Sequence, residues 1–191
     1  MTLAGAGLII LALPLLAFVL IVFVTRQAKA LSAAISIACV GIAALLALLI
    51  VFPQVAGGAT DHVEINWLRL TPTSGGPTET YLRLGVGVDP LAAVMLIVVT
   101  VVSFLVQVYS RSYMIEHDAQ GHLVWDPGYS RFFAYLSLFT FSMLAVVLAN
   151  NMLFFFIGWE LVGLCSYLLI GFWYERTERR GVHLLQPWVA C

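Results

Sequence analysis

The stretch NMLFFFIGWELVGLCSYLLIGFWY, from Asn151 to Tyr174, decides the fold. It is one apolar run, long enough to cross the hydrocarbon core of a bilayer, which requires about 20 residues in a helix. Its single acid, Glu160, lies near the middle, about 12 Å from either edge of the hydrocarbon layer. Holding a carboxylate there costs at least about 2.5 kcal/mol, and such residues usually face a bundle interior or a water-filled path. Glu160 is therefore the candidate functional residue.

The composition extends this interpretation to the whole chain. Hydrophobic residues make up 62% of the 191 residues, charged residues 10%, and the mean hydropathy is +1.00. A soluble core of this size would need far more polar surface to cover it. The net charge of −1 provides no electrostatic basis for binding nucleic acid. The chain is predicted to be an all-α polytopic membrane protein.

Four further apolar runs bring the number of predicted transmembrane helices to about five. The predicted spans are residues 3–24, 31–52, 90–110, 132–149 and 152–173. The first run lacks a preceding basic residue and a following cleavage site, so it is predicted to be an uncleaved span rather than a signal peptide. Asp89 followed by Pro90 is a strong helix-start signal for the third span.

The loop 53–88 is the longest polar interval and is predicted to form a short extracytoplasmic β-hairpin. Two strand-like segments, EINWLRL and YLRLGVGV, flank the turn-forming run TPTSGGPTET at residues 71–80. The loop also contains Asp61, His62, Glu64 and Glu79, but their spacing matches no metal-ligand pattern. They are interpreted as solvated charges.

The orientation follows from the distribution of basic residues. Seven of them flank the spans on one side and two lie on the other; the seven are Arg26, Lys29, Arg111, Arg131, Arg176, Arg179 and Arg180, and the two are Arg69 and Arg83. By the positive-inside rule the larger group is cytoplasmic. The amino terminus is then outside, and the segment 176–191 is a cytoplasmic tail.

Two spans carry small or polar side chains at helical spacing. In the second span these are Ser32, Ser36, Cys39, Ala43 and Ala47, which predict close helix packing. In the third span they are Thr100, Ser103 and Gln107. Hydrogen bonding between helices is favoured for this second set over the lining of a hydrated channel.

The neighbours of Glu160 on its own span are also assigned from the sequence. Gly158 and Gly163 are predicted to be packing glycines that let another helix approach. Tyr167 is predicted to be a buried aromatic residue rather than an extension of a hydrogen-bond path.

The segment from Arg131 to Glu175 closely resembles the proton-translocating NADH-quinone oxidoreductases of respiratory complex I. The resemblance is to their large antiporter-like membrane subunit, subunit L in bacteria and chain 5 in mitochondria, and it rests on GWELVG followed by CSYLLIGFWYE. The segment DPLAAVMLIVVTVVSFLVQVYSRSYM, Asp89 to Met114, is also similar to that subunit. Residues 1–175 would then be the amino-terminal transmembrane helices of such a subunit.

The resemblance implies a role for Glu160 and implies which subunits bind the redox cofactors. The acid of the GWE motif, here Glu160, is implied to be a proton relay in a membrane-arm subunit that couples electron transfer from NADH to quinone with proton translocation. NADH, flavin, iron-sulfur clusters and quinone would be bound by other subunits, and no cofactor by this chain. The implied partners are the other membrane-arm subunits and the lipid bilayer, and the implied location is the bacterial cell inner membrane.

The chain departs from the family after Glu175. The family continues with further helices and carries a buried lysine on the seventh as the ionic partner of the glutamate, whereas the tail 176–191 does not resemble the family's sixth helix. A fragment, a truncated gene or a shifted reading frame would each explain this departure. No Lys or Arg occurs inside the five predicted spans. A cationic partner for Glu160 would therefore come from another helix or another subunit.

Three alternatives stay open from the sequence. The chain could be the large subunit of a multisubunit sodium/proton antiporter, which shares the fold and the buried glutamate. It could instead be a non-functional truncated product or a membrane scaffold. Glu160 itself could be a neutral acid hydrogen-bonded between helices, with no part in transport.

Overall fold

A computed structural model describes residues 2–25, 28–70, 80–117, 123–125 and 128–173. Within these residues five helices are long and apolar enough to cross a membrane, which confirms the predicted all-α polytopic fold. The chain is a multi-pass membrane protein. The predicted tail 176–191 and the hairpin turn 71–79 lie outside the described residues.

The helices follow the predicted spans with shifted ends. Helix α1 is Leu3–Phe23, α2 is Lys29–Leu46, α3 is Phe52–Ala56, α4 is Pro90–Tyr113, α5 is Tyr129–Leu148 and α6 is Met152–Ile170. A π-helical turn, Ala47–Val51, joins α2 to α3, so that the three form one continuous span, and a 3-10 turn, Gly171–Trp173, follows α6. Helix α4 continues beyond the predicted residue 110 to Tyr113.

The π-helical turn lies just before a proline. Pro53 has no backbone N–H and cannot donate to the carbonyl of Leu49 as an α-helix would require. Instead the backbone N–H of Phe52 donates to Ala47, five residues earlier, which is the π-helical pattern. The span therefore continues past Pro53 without breaking.

The polar loop forms the predicted β-hairpin. Strand β1, Asp61–Leu70, pairs antiparallel with β2, Thr80–Val88, from Asp61 opposite Val88 to Leu70 opposite Thr80, with an irregularity between Asn66 and Leu68. Asp89 follows β2 directly, and its Oδ1 atom accepts a hydrogen bond from the N–H of Ala92 at 2.6 Å. The Asp89-Pro90 helix start is thus confirmed.

A second, smaller sheet lies between α4 and α5, where the sequence predicted only a polar link. It pairs β3, Ile115–His117, antiparallel with β4, Leu123–Trp125. Three-residue strands leave too few alternating positions to be distinguished from a loop in the sequence.

Helix α5 is central to the bundle. It packs against α1, α2, α4 and α6, whereas α6 has α5 as its principal helical neighbour. The core between α1, α4 and α5 is built from fully buried aliphatic side chains, among them Ile10, Leu96, Leu144 and Leu148. Helix α6 therefore lies at the edge of the bundle.

The base of the hairpin holds two helix ends in place. Asp61 Oδ2 accepts from the N–H of Ala4 in the first turn of α1 at 3.0 Å. The N–H of Asn150, in the turn between α5 and α6, donates to the carbonyl of Gly85 at 3.0 Å. A Cβ atom on Gly85 would lie 3.2 Å from the Asn150 side chain, so a glycine in β2 permits this close approach. The hairpin thereby fixes the start of α6.

Candidate functional site

Helix α6, which carries Glu160, begins at a well-formed cap. Asn151 has extended backbone angles, and its Oδ1 atom accepts from the N–H of Phe154 at 2.8 Å. One face of the helix approaches α5 closely at Gly158, where an added Cβ would lie 3.0 Å from Val146 Cγ2 and 3.1 Å from the Val146 backbone nitrogen. The prediction that Gly158 is a packing glycine is confirmed.

The opposite face of α6 is not covered by the described helices. Its exposed residues recur every three or four positions and form one stripe: Met152, Phe155, Phe156, Trp159, Glu160, Gly163, Leu164, Tyr167 and Ile170. We call this set the α6 stripe. Gly163 has no heavy atom within 4 Å of an added Cβ, so its prediction as a packing glycine is wrong for these helices.

Glu160 lies in the middle of the α6 stripe with its side chain exposed. Within the described part of the chain its carboxylate has neither a hydrogen-bond partner nor an ion-pair partner. Trp159 beside it is 61% exposed and stacks on Phe155, with ring centroids 6.1 Å apart. The acid is thus presented outward on an otherwise apolar and aromatic surface.

Tyr167, two turns along the α6 stripe, is 75% exposed. The prediction that it is a buried aromatic residue is wrong for these helices. Periodicity shows that Glu160, Gly163 and Tyr167 share a face, but every face of α6 is apolar enough to be buried. The sequence therefore held no signal for which face packs on α5.

The other end of α6 is held by aromatic contacts with the start of α5. Phe172, in the 3-10 turn after α6, lies edge-on to Phe132, with ring centroids 5.3 Å apart. The guanidinium carbon of Arg131 lies 5.4 Å from the centroid of the same ring, within the range of a cation–π interaction. Both ends of α6 are therefore anchored, while the α6 stripe between them is open.

A second group of polar side chains lies inside the bundle of α2, α4 and α5. Ser36 Oγ donates to Gln107 Oε1 at 2.9 Å and lies 2.7 Å from Ser137 Oγ. Ser137 Oγ in turn lies 2.9 Å from the carbonyl oxygen of Phe133. Gln107 is only 1% exposed. The prediction that Gln107 bonds between helices is confirmed.

The other two polar side chains that were predicted on the same face of α4, those of Thr100 and Ser103, behave differently from Gln107. Thr100 is buried and donates to the carbonyl of Leu96 in its own helix at 2.7 Å. Ser103 is half-buried. The sequence pattern identified one interhelical partner, Gln107, out of the three residues on that face.

The hydrogen bonds that Ser32 and Ser36 form between helices were not recognised from the sequence. Ser32 and Ser36 were assigned to plain packing, yet both hydrogen-bond to α5, Ser32 to Ser130 at 3.1 Å and Ser36 to Ser137. The available signal was that serines recur four residues apart on α2 and seven apart on α5. Both spacings place polar groups on one helix face.

Two segments of the chain match models of known protein families. Residues 78–133 match the family model described as NADH-ubiquinone oxidoreductase (complex I), chain 5 N-terminus, and residues 149–182 match the model described as NADH:quinone oxidoreductase/Mrp antiporter, TM. The second match includes Glu160 and the whole of the α6 stripe.

Curated relatives agree with these matches. The chain is 42% identical over 153 residues to NAD(P)H-quinone oxidoreductase subunit 5 of the Paulinella chromatophora chromatophore, covering 80% of this chain and 21% of that protein. It is 41% identical over 152 residues to NAD(P)H-quinone oxidoreductase chain 5 of Synechocystis, covering 80% and 20%. For the chloroplast subunit 5 of Mesostigma viride the values are 45% over 140 residues, 73% and 19%. The chain spans about a fifth of the length of these relatives.

Proposed function

Because this chain belongs, over its matched residues, to the family of complex I chain 5 and its antiporter-like relatives, we propose that it acts as the amino-terminal part of a membrane-arm subunit of an NADH-quinone oxidoreductase. The subunit couples electron transfer from NADH to quinone with proton translocation across the membrane. The observation that carries the proposal is the position of Glu160, an acid in the middle of a transmembrane helix inside the matched segment.

Glu160 is the proton-relay residue in this proposal. A carboxylate at that depth costs several kcal/mol unless polar or charged groups surround it, and the described helices supply no such group to it. The α6 stripe is therefore covered by another part of the assembled subunit or by a neighbouring subunit that brings a cation. Moving that cation toward or away from Glu160 changes its proton affinity, because an opposite charge nearby favours the ionised acid.

The redox chemistry belongs to partners in this proposal. The other subunits bind NADH, flavin, iron-sulfur clusters and quinone, and this chain binds none of them. Away from their ends, the described spans carry apolar residues, hydroxyls, thiols, amides and the mid-span acid Glu160, which suit proton transfer and helix packing. The chain contacts the other membrane-arm subunits and the lipid bilayer.

The proposed orientation places the hairpin on the outer side of the bacterial cell inner membrane. Lys29, Arg111 and Arg131 lie at the bundle end opposite the hairpin, at the start of α2, the end of α4 and the start of α5. This end is cytoplasmic by the positive-inside rule. Arg26, Arg176, Arg179 and Arg180, which were counted with this group, lie outside the described residues.

The decisive experiment replaces Glu160 in the full-length subunit of the assembled oxidoreductase. In membrane vesicles, Glu160→Gln should remove most of the proton translocation that accompanies NADH oxidation, because the amide cannot take up and release a proton. The measurement is proton uptake per NADH oxidised. Glu64→Gln is the matched control, since it makes the same chemical change on the exposed hairpin and should leave coupling intact. Unchanged coupling in Glu160→Gln would eliminate the relay.

A sodium/proton antiporter subunit is the second candidate. It is favoured by the family model that matches residues 149–182, because the description of that family includes the Mrp antiporter. The two candidates differ in what drives the protons. Cation/proton exchange that persists in vesicles without NADH would favour the antiporter, and proton uptake that requires NADH and quinone would favour the oxidoreductase.

A further inference from the structure

The hydroxyl of Ser36 lies between two buried polar side chains, Gln107 and Ser137, but carries one proton. Its Oγ atom is 2.9 Å from the amide of Gln107 and 2.7 Å from Ser137 Oγ, and Ser137 is itself 2.9 Å from the carbonyl of Phe133. Each hydroxyl donates once and accepts through its lone pairs. The protons of this group can therefore be arranged in two ways.

In the first arrangement Ser137 donates to Ser36, and Ser36 donates to Gln107 Oε1. The Gln107 Nε2 atom is then a buried donor with no partner among the described residues. In the second arrangement the amide is reversed: its nitrogen donates to Ser36, Ser36 donates to Ser137, and Ser137 donates to Phe133. The amide oxygen then takes the unpartnered position. Either way, one end of the Gln107 amide, which is only 1% exposed, has no partner among the residues that the structure describes.

We propose that the free end of the Gln107 amide binds an internal water molecule. Water both donates and accepts hydrogen bonds, so it satisfies the amide in either arrangement, which an obligate donor or acceptor would not do. The surrounding groups are neutral hydroxyls and carbonyls, which suit a neutral ligand. Buried waters typically occupy such positions, bound to polar groups that lack protein partners.

A second layer of hydroxyls connects this water site with the end of the bundle. Ser32, one turn before Ser36 on α2, is 2.8 Å from the carbonyl of Thr25 and 3.1 Å from Ser130 Oγ. Thr25 follows α1 at the bundle end opposite the hairpin. The two layers form a polar file of buried hydroxyls from that end to Gln107. This file runs inside the bundle of α2, α4 and α5, whereas Glu160 lies on the exposed α6 stripe.

The test is a density map of the full-length protein in its assembled complex, at a resolution that shows internal water molecules elsewhere in the transmembrane helices. A water peak within hydrogen-bond distance of the Gln107 side-chain amide is expected. In Gln107→Met, which keeps the side-chain length and removes both polar atoms, the peak should disappear. Thr100→Val is the matched control, because Thr100 bonds its own helix, and it should leave the peak in place.

The wild-type map alone decides the proposal if the variant fails to assemble. A map that shows the amide bonded at both ends to protein groups, or that shows no peak beside Gln107, overturns it. A peak that persists in Gln107→Met also overturns it, because the water would then be held by other groups. None of these outcomes depends on whether Glu160 relays protons, so this proposal and the proposed function can fail separately.

Discussion

Two polar side chains at membrane depth, Gln107 and Glu160, have opposite surroundings. Gln107 is 1% exposed and is bonded to Ser36 of a neighbouring helix, whereas Glu160 is exposed in the middle of the α6 stripe. Inside this bundle a neutral hydroxyl of an adjacent helix bonds one end of the amide. The acid is the costlier group, yet it is the one directed away from the bundle. The inner group therefore stabilises the fold, and the outer one is available to something beyond these helices.

The largest expected effect tests whether Glu160 makes the membrane insertion of its own helix less favourable. In the full chain, Glu160→Leu should favour membrane insertion of Met152–Ile170 by about 3 kcal/mol, because it removes a carboxylate from mid-membrane. Insertion is measured from the glycosylation of acceptor sites placed on either side of the segment. Phe156→Leu, on the same face, is the control and should change little. Unaltered insertion in Glu160→Leu would mean that the bundle already solvates the acid.

The next effect compares the covered and uncovered faces of α6. Gly158→Ala should destabilise the protein by about 1–3 kcal/mol, because the new Cβ meets the Val146 backbone of α5, which cannot easily move. Gly163→Ala, with open space beside it, should be neutral or stabilising by up to about 1 kcal/mol. The measurement is the thermal unfolding midpoint of the protein in lipid nanodiscs. Equal effects at both positions would show that the α6 stripe is covered.

Removing a helix cap should have a smaller effect on stability, and the effect should be similar for α4 and α6. Asp89 caps α4, and Asn151 caps α6 at the edge of the bundle, through side-chain oxygens that accept from the N–H groups of Ala92 and Phe154. Replacing either residue with Ala should cost about 1 kcal/mol. The capped amides should also lose protection in hydrogen exchange. Asp89→Asn, which retains a capping oxygen, is the control. An Asp89→Ala variant with unaltered protection at Ala92 would contradict the cap.

The smallest effect separates hydrogen bonds between helices from those within one helix. Ser36→Ala removes a bond to α4 and a contact with α5 and should cost about 0.6 kcal/mol, the average for such bonds in membranes. Ser166→Ala on α6 removes a bond to the carbonyl of Val162 in its own helix and should cost less. Unfolding midpoints in nanodiscs again provide the comparison. If Ser166→Ala lowered the unfolding midpoint more than Ser36→Ala does, the hydrogen bonds between helices would not be the ones that contribute more to stability.

Local features of the chain were predictable where one residue acts on its immediate neighbours. Asp89 caps α4 because the carboxylate of an N-cap residue can accept a hydrogen bond from the free N–H three residues later, here that of Ala92. Pro90 suits the first helical position. The hairpin was predictable from its alternating strands and turn formers. The π-helical turn before Pro53 and the short β3–β4 sheet were not, because both depend on backbone bonds that leave little mark on side-chain periodicity.

Contacts between distant parts of the chain were harder to predict from the sequence. Ser36 and Ser137 are 101 residues apart, and no local pattern shows that they meet. Gly158 and Gly163 looked equivalent, but one packs against Val146 and the other has open space. Helix α6 is apolar on all sides, so its amphipathicity could not indicate the side that packs on α5.

The amino-acid sequence by itself determined that this chain crosses a membrane several times, where α1, α4 and α6 start, and that one acid lies at mid-membrane depth. These properties follow from hydrophobic length and from short-range hydrogen bonding, which neighbouring residues fix. The tertiary structure decided which face of α6 is covered and which buried polar groups meet. In a lipid environment packing and hydrogen bonding between helices, rather than hydrophobicity, select the helix neighbours, and those contacts join residues far apart in the chain.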